Sequence, residues 1–157
     1  MGLGLKIVVC IVAVELLGGL SGWLTASSIG GWYAKLNQPP GTPPNWVFGP
    51  VWTLLYAMMG TALALVWHRV PAGPAKSRAL AAFGLQFALN LAWTPVFFGL
   101  RLPLPGLAVL LLLIAAIVVT IRRFQALDRL AAGLLLPYLL WCGYAAYLNA
   151  GIAVLNR

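Results

Sequence analysis

Apolar residues run almost unbroken through Leu5–Ala26, Trp46–Trp67, Ala79–Gly99, Leu104–Ile121 and Leu130–Val154, and the polar residues collect between these stretches. Each is close to the roughly 20 apolar residues that cross a bilayer as a helix. The pattern predicts an all-α membrane protein, a five-helix bundle forming one domain over residues 1–157. The first stretch is too long for a cleaved signal and lacks a small-x-small site before a polar domain, so it reads as a retained helix. The connection Ser27–Asn45 differs from the rest: it carries Trp32, Tyr33, Pro39, Pro40, Pro43 and Pro44. Proline fixes φ and lowers the entropy lost on ordering. An ordered lid is expected there, not a loose tether.

Composition agrees with this pattern. Of 157 residues, 62% are hydrophobic and 8% charged, whereas a soluble domain carries about a quarter charged. A net charge of +8 would suggest nucleic acid in a soluble chain, but the Lys and Arg residues lie in the gaps between apolar runs. No basic stripe with interleaved aromatics is present, and no nucleic-acid partner is expected. The charge instead reads as topology. Lys6, Arg69, Lys76, Arg78, Arg122, Arg123 and Arg129 fall on one side, and Lys35, Arg101 and Arg157 on the other. The positive-inside rule then places the N-terminus in the cytoplasm, with the first loop and the C-terminus outside. High Ala, Leu and Gly content with short loops suggests a bacterial chain.

Helical spacing sorts the unusual residues. Gln86, Asn90, Trp93 and Phe97 recur at intervals of four, three and four, which places a polar and aromatic stripe on one face of the third helix. Gly84, Ala88 and Ala92 recur at intervals of four on a nearly opposite face. Small residues allow close helix contact in lipid, so this face is the candidate surface for a homodimer or for a helix of the same chain. Asn90 lies near mid-membrane and should face inward, either in a hydrogen bond between helices or toward a ligand. Trp52, Tyr56 and Met59 share a face of the second helix, and Tyr138, Trp141, Tyr144, Ala145 and Leu148 share one on the fifth. Trp52, Asn90, Trp93, Trp141 and Tyr144 fall between mid-depth and the loop-bearing surface. An aromatic-walled cavity with few polar groups suits a large, flat, apolar ligand.

Other residues carry less. Trp23, Trp67 and Trp46 fit interfacial anchors. Cys10 and Cys142 lie inside helices with no metal-ligand or disulfide spacing, and His68 sits beside Arg69 at a helix end, so no metal site is expected. Glu15 is the one acid inside a span, with Gly18, Gly19 and Gly22 on its face. A neutral hydrogen bond between helices is expected for it ahead of a proton relay, which would need a second group. Pro95 and Pro137 are expected to kink their helices.

Three blocks resemble the signature of the TspO/MBR family of tryptophan-rich sensory and translocator proteins. They are Trp32-Tyr33 with Leu36, Pro39, Pro43-Pro44, Trp46-Val47-Phe48, Pro50, Trp52 and Tyr56; then Gln86 through Gly99; then Pro137-Tyr138-Leu139-Leu140-Trp141 through Ala145, Leu148 and Asn149. The resemblance implies a bundle, commonly dimeric, that binds porphyrins and other tetrapyrroles as ligands, with no resident cofactor, and in many members isoquinoline carboxamide and benzodiazepine-type drugs. The positions matching the family's ligand contacts are Trp32, Pro44, Trp46, Trp52, Asn90, Trp93, Trp141, Tyr144, Ala145 and Leu148. Light- and oxygen-dependent porphyrin breakdown in some bacterial relatives is attributed to tryptophans matching Trp52 and Trp141. The sterol-recognition motif of animal members is missing, because Tyr147 stands ten residues before Arg157. The leading expectation is a porphyrin-binding sensor or regulator. The alternatives are a photo-oxidative activity, with no conventional catalytic constellation behind it, and a porphyrin or small-molecule transporter.

Overall fold

Prolines set where the helices start. Pro74 and Pro103 occupy first-turn positions, where a missing N–H costs nothing. In a computed structural model describing Met1–Arg157, the helices are α1 Leu3–Gly30, α2 Phe48–Arg69, α3 Pro74–Thr94, α4 Pro103–Gln125, α5 Arg129–Leu134 and α6 Leu136–Leu155. No strand is present. Five segments are long and apolar enough to cross a membrane, the last being α5 and α6 together.

The boundaries differ from the pattern-based ones for identifiable reasons. α1 runs four residues beyond Ala26, to Gly30, and the Thr25 hydroxyl within it is satisfied by the carbonyls of Ser21 and Gly22 at 3.1 and 3.2 Å. α3 gives way at Pro95 to a π turn, Pro95–Gly99. Proline has no N–H for the carbonyl of Leu91, four residues back, and Ser21 of α1 donates to that carbonyl at 3.3 Å. The fifth span breaks at Leu135, before Pro137, into α5 and α6.

α1 lies along α2, α3 along α4, and α4 along α6, while α5 touches both α2 and α4. The helices therefore form a ring in the order α1, α2, α5 with α6, α4, α3, closed where the π turn meets α1. Leu5, Val8, Val12, Leu16 and Leu20 of α1 face outward and exposed, as lipid-facing residues do. Gly84, Ala88 and Ala92 are exposed too, whereas Gln86, Asn90, Trp93 and Phe97 are all buried. The two faces of α3 thus separate as the spacing requires. Cys10 and Cys142 are free and buried.

The basic end of the bundle is tied together by cations. Lys6 Nζ lies 4.7 Å from the centre of the Trp67 ring. Lys76 Nζ caps the end of α2 by donating to the carbonyls of Trp67 and Val70 at 2.7 and 2.9 Å. Asp128 caps α5, accepting from the Ala131 N–H at 3.0 Å, and pairs with Arg69 at 3.1 Å. Burial alone would raise the Asp128 pKa, but the Ala131 N–H and the Arg69 guanidinium outweigh it and hold the carboxyl below its ordinary range. A depressed carboxyl contributes stability that is full above its unfolded pKa of about 3.9 and is lost as pH falls through the folded value. Asp128→Ala is expected to cost about 1 kcal/mol at pH 7. Thermal melts of the two proteins should converge once the pH drops below the folded pKa of Asp128.

Candidate functional site

A cavity of about 310 Å³ opens between α1, the N-terminal half of α2, the π turn and α6. This is the lower end of the size range for small-molecule pockets. Its aromatic wall comes from four elements: Phe48 and Trp52 of α2, Trp93 of α3, Phe97 and Phe98 of the π turn, and Trp141 of α6. The rings support one another in edge-on, tilted and stacked contacts. Trp52 lies 5.3 Å from Tyr56, Phe48 lies 6.2 Å from Trp141, and Trp93 stacks on Phe97 at 5.5 Å. The opposite wall is α1, where Gly18, Gly19 and Gly22 present backbone. A β-carbon at Gly18 would land on the Tyr56 ring, so glycine there lets the aromatic face of α2 approach α1.

The first loop roofs this space. Tyr33–Lys35 and Asn45–Val47 form short 3₁₀ turns, and Tyr33 is buried against Phe48, Phe97 and Phe98 at centroid distances of 6.3, 6.3 and 5.4 Å. The stretch between the turns is latched to the end of α6. The Asn37 N–H donates to Asn156 Oδ1 and Asn156 Nδ2 donates back to the Asn37 carbonyl, both at 2.9 Å. The Tyr147 hydroxyl donates to the Pro40 carbonyl at 2.9 Å, and the Tyr144 hydroxyl donates to that of Gly41. Gly41 turns the chain at φ 83°, in the left-handed region that favours glycine. Pro39 seats so close to Gly151 that a β-carbon there would lie 2.7 Å from its ring.

Polar groups beneath the cavity are paired with one another. The Tyr56 hydroxyl donates to Asn90 Oδ1 at 2.9 Å, Asn90 Nδ2 donates to the Tyr138 hydroxyl at 3.0 Å, and that hydroxyl donates to Gln86 Oε1 at 2.8 Å. This chain joins α2, α3 and α6 at mid-membrane, where unpaired amides are costly. A second link joins α3, α6 and α4: Trp93 Nε1 donates to Asn149 Oδ1 at 3.2 Å, and Asn149 Nδ2 donates to the Pro103 carbonyl at 2.7 Å.

Of the positions named from the sequence, Trp52, Trp93, Trp141, Ala145 and Leu148 meet in the cavity wall. The others stand apart. Asn90 lies below the floor with its amide engaged by Tyr56 and Tyr138, which is the inter-helix bond weighed against a ligand contact. Tyr144 holds the lid. Trp32 packs edge-on against Phe97 at 5.7 Å from outside the wall. Pro44 is exposed in the loop, and Trp46 is 74% exposed. Sequence reading did not assign Tyr33, Phe48 or Asn149 to the site, and the latch through Tyr147, Gly151 and Asn156 has no signal in helical spacing.

The sequence model of the TspO/MBR family matches residues 8–155. The chain belongs to the TspO/MBR family. It is 42% identical over 152 residues to the tryptophan-rich protein TspO of Archaeoglobus fulgidus, covering 97% of both chains. It is 43% identical over 121 residues to the human translocator protein, covering 75% of this chain and 70% of that one. To the tryptophan-rich sensory protein of Cereibacter sphaeroides it is 39% identical over 125 residues, covering 80% and 77%. Membership and the five spans together make this TspO/MBR chain a multi-pass membrane protein.

Proposed function

We propose that this TspO/MBR protein binds a tetrapyrrole, a porphyrin in the first instance, in the cavity beneath the first loop and serves as a sensor or regulator of porphyrin levels. The observation that carries the reading is the cavity wall itself: Trp52, Trp93 and Trp141 converge with Phe48 and Phe97 on one space under a latched lid. Flat aromatic faces with few free polar groups favour a flat, apolar, π-rich ligand. The same wall suits the isoquinoline carboxamide class of drug. Orientation belongs to this reading as well: the seven-to-three split of basic residues puts the N-terminus in the cytoplasm and the lid outside. A homodimer through the exposed Gly84, Ala88 and Ala92 face completes it.

Protoporphyrin titrated into the nanodisc-embedded protein is expected to quench tryptophan fluorescence saturably. Trp141→Ala should weaken the fitted affinity about tenfold, the value of an aromatic contact together with its buried area. Trp23→Phe, on the exposed outer face of α1, should leave it unchanged. Quenching no greater than that of empty nanodiscs contradicts the reading.

A second reading, light- and oxygen-dependent breakdown of the bound porphyrin, is favoured by the presence of both Trp52 and Trp141 in the wall. It requires bleaching that depends on oxygen and slows in Trp52→Phe and Trp141→Phe. Equal bleaching in every variant leaves photodamage alone.

A further inference from the structure

One carboxyl group lines the cavity. Glu15 lies near the middle of α1 and lines the cavity, and none of the other lining residues carries a charge of either sign. The chain's single ion pair is Arg69–Asp128 at the far basic end, so no cation of the protein neutralises Glu15. An acid at this depth is costly to keep and marks a site when its complement is missing from the chain. Its surroundings define that complement. Gly18, one turn along on the same face, abuts the Tyr56 ring, and Tyr56 sits 5.3 Å from Trp52. Trp141 and Phe48 continue the aromatic surface across the cavity. Aromatic faces attract cations through the ring quadrupole, and cages of such faces are the recurring recognition device for ammonium groups. A carboxylate added to one side supplies a charge-assisted hydrogen bond and neutralises the pair inside the membrane.

We propose that the cavity is also a binding site for a lipophilic ammonium ligand, an aromatic or alkyl body bearing a protonated amine, with Glu15 accepting the amine and the Trp52, Tyr56 and Trp141 faces surrounding it. This goes beyond tetrapyrrole binding and does not depend on it, because a porphyrin brings carboxylates and no ammonium. The apolar body occupies the aromatic space and the amine turns toward α1. Access suits such an amphiphile: Gly19 and Gly22 of α1 and Gly49 and Thr53 of α2 line the cavity and are also exposed on the flank of the bundle.

The test pairs 2-(aminomethyl)naphthalene with its uncharged near-isostere 2-(hydroxymethyl)naphthalene. Equilibrium dialysis is run against the full chain in phosphatidylcholine nanodiscs at neutral pH, with empty nanodiscs subtracted. In the wild type the amine is expected to bind at least about tenfold tighter than the alcohol. In Glu15→Gln that preference should collapse to within about twofold while alcohol binding stays as it was. Equal binding of amine and alcohol in the wild type overturns the proposal, as does a preference that survives Glu15→Gln. Loss of alcohol binding in Glu15→Gln assigns Glu15 to the shape of the cavity and overturns it too. Protoporphyrin quenching measured on the same samples reports separately on the tetrapyrrole reading.

Discussion

Gly60→Ala is expected to destabilise the protein by about 3 kcal/mol, the upper end of overpacking costs, and to lower its thermal midpoint by roughly 6–12 °C. The reason is a backbone contact. A β-carbon on Gly60 of α2 would stand 2.6 Å from Ile11 Cα and 2.7 Å from Ile11 N of α1. A side chain can rotate away, but a helix backbone can only be pushed off. In lipid no hydrophobic force draws the helices back together, since association rests on close packing. The displacement would also reach the site, because α1 carries the Gly18, Gly19 and Gly22 wall and α2 carries Trp52 and Tyr56. Ligand affinity should therefore fall along with stability. Gly143→Ala provides the control: that position is exposed on α6 with no atom near its β-carbon, so helix propensity predicts a change of at most about 1 kcal/mol, toward greater stability. Melting curves in one detergent compare the two directly. Similar midpoints for both variants would show that the α1–α2 contact is not tight.

Tyr138→Phe is expected to cost about 2 kcal/mol although it removes a single oxygen. Tyr138 is fully buried, and its hydroxyl is the node that accepts from Asn90 and donates to Gln86. Without it, Asn90 Nδ2 and Gln86 Oε1 are orphaned at residues that are 2% and 1% exposed. Each orphan costs about 1–3 kcal/mol in a soluble core and somewhat less in a membrane bundle, where the unfolded reference also finds partners. Asn90→Leu should be similarly harmful alone, for it leaves the Tyr56 hydroxyl without its acceptor and removes the bond that the Tyr138 hydroxyl accepts, leaving that hydroxyl only its donation to Gln86. The double variant should cost less than the sum, because the two residues share one bond. A double-mutant cycle on thermal stability checks this, and strict additivity would mean that the network carries no coupling energy. Tyr56 holds the aromatic floor through Asn90, so both variants should also loosen the cavity.

The spans, and the separation of the α3 faces, were legible because bilayer thickness and helical period act on every residue in turn. Gln86, Asn90, Trp93 and Phe97 follow the period and are buried, while Gly84, Ala88 and Ala92 follow it on the other side and are exposed. Periodicity places a residue on a face but does not say which partner its atoms take. Asn90 illustrates the limit: depth and face pointed inward, yet the choice between ligand and network depended on the Tyr56 and Tyr138 hydroxyls arriving from two other helices. Glu15 shows the reverse. A neutral hydrogen bond between helices is the expectation, whereas its carboxyl takes no side-chain hydrogen bond and lines the cavity. The lid was legible as ordered from its prolines, but its latch joins residues over 100 positions apart, Asn37 to Asn156 and Pro40 to Tyr147. Nothing local encodes such pairs. Ser21 and Leu91 are similar, because the proline that frees the Leu91 carbonyl is visible in sequence and the serine that fills it is not.

The most direct test of the central claim is an experimental structure of the protein with protoporphyrin bound. The macrocycle is expected in the cavity beneath Tyr33, in contact with Trp52 and Trp141, with the lid latch to α6 in place. A macrocycle lying against the exposed outer face of α1, with the aromatic cavity unfilled, would contradict it.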